Sequence, residues 1–125
     1  EFYEVFRAVL TARKKTKELK ALEEHVRYKR KSMLEWEALL NQTGYRLSGL
    51  WENDFKYRVA NATTMLEHHF IRVSFLPHWL AVVKNKADQE LIFKEIEEQL
   101  NDIAVKNQGL TLTIPLACFE AKKIK

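Results

Sequence analysis

The stretch LWENDFKYRVANATTMLEHH, residues 50–69, reads two ways. Phe55, Val59, Ala62 and Leu66 recur at steps of three and four, which is one face of a helix. Phe55, Tyr57 and Val59 alternate, which is one face of a strand over 55–60. The helical spacing runs further than the alternation, and Asn53 or Asp54 stands where an N-cap belongs. Helix is therefore the expectation, with the strand as the competing reading.

Downstream the period changes. In FIRVSFL, residues 70–76, Ile71, Val73 and Phe75 share one face and Arg72 and Ser74 the other, which predicts a half-buried strand. Pro77 ends it or makes it an edge. HWLAVV, 78–83, is a second strand or the start of a helix. From Asp88 a second amphipathic helix follows, with Leu91, Ile92, Ile96, Leu100 and Ile103 on one face and Gly109 in its capping region. LTLTIPLACF, 110–119, alternates as a strand, with Pro115 marking an edge or a bulge. The Lys-rich tail AKKIK is expected to fray.

Upstream, residues 1–43 contain neither Gly nor Pro and are rich in good helix formers. Phe2, Val5, Val9, Leu19, Leu22, Val26, Met33, Trp36 and Leu40 form a stripe with a stammer at Leu19–Leu22. This predicts one helix of about 40 residues, about 60 Å long, pairing as a coiled coil or helical hairpin, with a helix lying along its own domain as the alternative. Gly44 is placed to cap it in a left-handed conformation, and Tyr45–Leu47 begins a short strand closed by Gly49. The expected class is α+β. A long N-terminal helix (1–43, a coiled-coil-like stalk) leads into a small α+β domain (44–125), whose sheet is packed by one or two helices.

A chain of 125 residues fits one domain with its own core. Seven Phe, four Tyr and three Trp argue against disorder. The single Cys118 excludes an intrachain disulfide, and on an alternating apolar strand it reads as a buried thiol. A reducing, intracellular setting is the expectation. The sequons at Asn41 and Asn61 are common by chance. No run approaches the ~18 apolar residues of a membrane span, and no signal-peptide pattern occurs. The chain opens at Glu1 without Met, which points to a piece of a longer protein or a processed form.

The net charge of +4 is unevenly spread. Residues 1–31 carry ten Lys/Arg against five Asp/Glu, and residues 87–125 carry five against seven. Such asymmetry suits an acidic partner, a phosphate backbone or a head-to-tail assembly. The basic clusters, Arg13, Lys14 and Lys17, then Arg27, Lys29, Arg30 and Lys31, would lie about 21 Å apart on a helix and span several phosphates. Tyr28 is placed to stack on a base. The plain alternative is a solvated helix face, since Glu18, Glu23 and Glu24 interrupt the charge.

Catalytic signals are weak. His68 and His69 are adjacent, so neither helix nor strand geometry directs both at one ion. A metal site would need His69 to meet His78 or His25 in space, with Glu67 as a further ligand. No serine sits in a nucleophile elbow. Three glycines form no phosphate loop, and the acidic pairs Glu23–Glu24 and Glu97–Glu98 read as solvated faces. No cofactor is implied. The leading expectation is a non-enzymatic structural or adaptor subunit of a larger assembly. It would pair with a protein partner or a second copy through the long helix and dock a partner with its α+β end. A nucleic-acid-binding protein using the basic face is the alternative.

Overall fold

The first forty residues make three helices rather than one. The computed structural model, which describes residues 1–124, places α1 at Phe2–Ala12, α2 at Thr16–Lys29 and α3 at Met33–Gln42. The first break needs no glycine. Lys14 adopts φ 55°, and the Lys15 N–H reaches back to the Leu10 carbonyl at 2.9 Å, a Schellman-type closure. Cations at 13, 14, 15 and 17 repel one another along a continuous helix. Opening the turn lets Lys15 meet Asp88 at 2.5 Å and Arg13 meet Glu95 at 2.6 Å. The second break is a capping box: the Glu35 N–H donates to Ser32 Oγ, and the Ser32 N–H donates to Glu35 Oε2 at 2.7 Å.

These breaks fold the stripe onto its own chain. Tyr3 faces His25 and Arg7 pairs with Glu23 at 2.5 Å, so α1 and α2 run antiparallel. Phe2, Val5, Val9 and Leu22 are buried in a core that also holds Met65, Trp79, Ile92, Ile96, Leu100 and Leu110. Leu19 and Val26 pack against that core, and Met33, Trp36 and Leu40 are half-buried. The expected stalk is therefore absent, and residues 1–43 and 44–124 share one apolar core. The basic front and acidic back found each other within the chain, through the two ion pairs to residues 88 and 95.

The ambiguous stretch resolves as strand through Val59 and helix from Ala62. β1 is Tyr45–Val59, α4 is Ala62–Glu67, and β1 pairs antiparallel with β2, Leu110–Lys123. The helical spacing of Phe55 and Val59 was coincidental, because Asn61 is the real N-cap, accepting from the Thr64 N–H at 2.8 Å. Asn53 and Asp54 lie inside β1. Tyr45–Leu47 does begin a strand, but it does not stop at Gly49. The predicted strand at 70–76 is corrected to helix: α5 is His69–Ser74 and α6 is Leu76–Leu80, with Pro77 in the first turn of α6. Ile71 and Trp79 are buried while Val73 is exposed, so packing overrode the alternation. The helix predicted from Asp88 is α7, Lys86–Asn107, which buries Ile92, Ile96, Leu100 and Ala104; Leu91 instead faces out. Gly44 has φ 84°, as its capping role requires. Residues 121–123 of the tail continue β2 instead of fraying, and Lys125 lies outside the described residues.

The two strands form a ribbon about 45 Å long, taken at 3.3 Å per residue. Val59, Tyr57, Leu110 and Leu112 lie on one face, the core face, against the helices. Further out, α3 packs on the reverse face, where Trp36 meets Phe119 with rings 5.9 Å apart and Leu47, Ala117 and Ala121 are half-buried. A register shift at Ser48 puts Leu47 on that covered face.

Candidate functional site: a basic cleft beside an open ribbon

Past Tyr57 and Leu112 the core face of the ribbon is largely uncovered. By register, Phe55 and Ile114, Asn53 and Leu116, and Trp51 and Cys118 stand in pairs on this face. Trp51 is 58% exposed, Phe55 53%, Leu116 49% and Ile114 41%. Cys118 is exposed, against the expectation of a buried thiol; its strand alternates as predicted, but the core ends before it. Trp51 folds back over Gly49, where an added Cβ would come within 2.7 Å of the indole Cη2.

The edges of the ribbon are partly closed. Glu1 accepts from the Thr113 N–H at 3.0 Å and from its hydroxyl at 2.7 Å, which lowers the Glu1 carboxyl below the usual range. Pro115 has no N–H to offer. On the β1 edge, the Asn53 side chain accepts from the Asp54 N–H at 2.8 Å, and Glu52, Lys56 and Arg58 add charge.

Between β2 and the helices lies a cleft of about 510 Å³. One wall is the outer ribbon: the consecutive β2 residues Ile114–Ala117 all contribute, as they do where a pleated strand presents its edge, and Glu52 of β1 and Phe119 add part of the reverse face. The other wall is the end of α2 and the start of α3, with His25, Lys29, Arg30 and Lys31, and from α6, His78. Glu52 is the one acid among the lining residues. Trp36, Phe75, Trp79 and Phe119 supply apolar surface.

A hydrogen-bond chain stiffens the inner wall. Trp79 Nε1 donates to the Tyr3 hydroxyl at 3.1 Å, and that hydroxyl lies 3.4 Å from His25 Nε2. Burial, then Lys29 and His78, hold His25 below the ordinary histidine range, so it is neutral at pH 7 and its Nε2 shares a hydrogen bond with the Tyr3 hydroxyl. The Arg30 guanidinium lies over the Tyr3 ring at 5.2 Å.

The basic residues predicted from sequence are divided by the helix breaks. Lys29, Arg30 and Lys31 are gathered at the cleft mouth, with Tyr28 beside them carrying Lys29 and Lys31 at 5.8 and 5.4 Å. Arg27 is exposed on the last turn of α2. Arg13, Lys14 and Lys17 sit at the opposite end of α2, and Arg13 is engaged by Glu95. The histidines do not converge as a metal site: His78 lies near His25 in the cleft, while His68 and His69 form the joint between α4 and α5. Among the described residues no group of three His, Cys, Asp or Glu is placed to hold a metal ion. Sequence reading missed the cleft, because its walls come from α1, α2, α3, α5, α6 and both strands; the capping box at Ser32–Glu35 was the one local signal pointing to it.

Among the described residues no helix is long and apolar enough to cross a membrane. Comparison with protein-family models, with curated proteins and with solved structures finds no match for this chain.

Proposed function

We propose that the protein is a non-enzymatic docking subunit of a larger assembly, and that the uncovered face of its ribbon packs against a protein partner. The observation that carries this reading is the run of Trp51, Phe55, Ile114 and Leu116, apolar, adjacent by register and exposed beyond the core. Contiguous apolar patches of this kind mark interaction surfaces, since each Å² left in water forgoes about 25 cal/mol. The docking element is the ribbon and not a long helix, because the apolar stripe of residues 1–43 is largely used in the fold itself. Sedimentation of the purified protein tests this. Association with itself or a copurifying partner is expected, lost on Trp51→Arg or Leu116→Arg. A monomer without any partner at micromolar concentration speaks against it.

A second reading, nucleic-acid binding, is favoured by one feature, the Lys29–Arg30–Lys31 group beside Tyr28. RNA or DNA affinity would then fall steeply with salt and be lost on charge reversal at 29–31.

A further inference from the structure

We propose that the cleft takes an extended acidic peptide, which adds as a third strand to the outer edge of β2 between Pro115 and Phe119. This rests on the reading of the protein as a docking subunit and names a second surface and a partner chemistry for it.

The backbone directions of β2 carry the argument. The Thr113 N–H points away from β1, because it is bonded to Glu1. Residues two apart in a strand share that direction, so Pro115, Ala117 and Phe119 also face outward. Pro115 fits this, since an inward position would cost a ladder bond. The edge therefore offers the Pro115 carbonyl, both the N–H and carbonyl of Ala117, and the Phe119 N–H. This is the alternating set that an incoming strand uses. Upstream the edge is closed by Glu1 at Thr113 and by the missing donor of Pro115. The register of an added segment is thus confined to the stretch that lines the cleft.

The opposite wall sets the charge of the guest. Lys29, Arg30 and Lys31 look across at that edge, and Glu52 is the lone acid in the lining. Carboxylates alternating along a guest strand would meet these cations, while side chains of the other parity would reach the apolar surface of Trp36 and Phe119. The cleft volume, about 510 Å³, lies in the range of specific ligand sites. A nucleic acid suits the site less well. Its phosphates have no N–H for the outward carbonyls of Pro115 and Ala117.

The test uses the full chain and fluorescence anisotropy with a labelled peptide alternating Glu and Val. Expected are binding that weakens ~10-fold or more on Arg30→Glu with Lys31→Glu, and a similar loss with Lys in place of Glu in the peptide. N-methylation of alternate peptide amides should abolish binding, because it removes strand pairing and leaves charge intact. Ala117→Pro removes one outward donor without touching the β1 ladder, and should do the same; the N-methylated peptide keeps the test sound if that variant misfolds. Equal binding of the methylated peptide overturns strand addition, and preference for a single-stranded oligonucleotide overturns the peptide. If the peptide fails to bind while Trp51→Arg, which lies outside the cleft lining, still disrupts assembly, the cleft proposal falls and the docking subunit stands.

Discussion

The two halves of the ribbon have the same local grammar and opposite fates. Near the core, Val59, Tyr57, Leu110 and Leu112 alternate with polar residues and are covered by helices. Farther out, Trp51, Phe55, Ile114 and Leu116 take the same face and are exposed, although on β2 the residues beside them, Pro115 and Ala117, are apolar too. Alternation therefore specifies which face an apolar residue takes, and only the surrounding elements decide whether that face is dry. The inner half earns its stability from burial, whereas the outer half depends on α3 at its back.

That contrast is open to direct challenge. Leu100→Ala, in the core beneath the inner half, should destabilise by about 2–5 kcal/mol in urea unfolding, and Leu116→Ala by less than about 0.5 kcal/mol. Similar losses at the two sites would mean that the outer face is covered. Ser32→Ala removes the capping box and should cost about 1 kcal/mol. Hydrogen exchange should then speed up in α3 and the outer ribbon while α7 stays protected; uniform acceleration would erase the distinction between the halves.

The effect of pH should separate them again. His25 titrates lower in the folded protein than a free histidine, whose value is about 6.5, so the unfolded chain binds the extra proton first. Its contribution is present above that value and declines as pH falls below it, until the folded form also protonates. The inner wall, with Tyr3, Lys29 and His78 around the ring, should loosen with acid. His25→Phe should flatten that part of the stability profile, and an unchanged slope would show that another group governs it. The smallest change is expected of Gly49→Ala. The added methyl displaces the exposed Trp51 ring, shifting its fluorescence while altering stability by less than about 0.5 kcal/mol.

The class α+β, the helix ending at Asn107, the strand from Leu110 and the cap at Gly44 were all legible in the sequence. Each is stated by a local pattern that packing agrees with. The stalk was misread because helix propensity says nothing against a turn at Lys14, a residue type that seldom takes positive φ; the turn is held by contacts with Asp88 and Glu95 far along the chain. The second break was written in Ser32-x-x-Glu35 and was overshadowed by the apolar stripe. At 70–76 the alternation lost to tertiary burial of Ile71 and Trp79. Of the candidate site, the cations at 29–31 were visible, but the strand edge facing them was not, because Pro115 and Arg30 meet only through the fold.

The strands that make the ribbon are separated by residues 60–109, so α4 to α7 are in effect the loop of one hairpin. This topology sets an expected order of folding. Helices gather first through contacts close in the chain, and only their assembly brings Val59 to Leu110. From there the ladder zips outward, each pair enclosing a longer loop, until Tyr45 meets Lys123. The outer ribbon is expected to form last and open first, and a nascent chain carries β1 without its mate until residues 110–123 have been made.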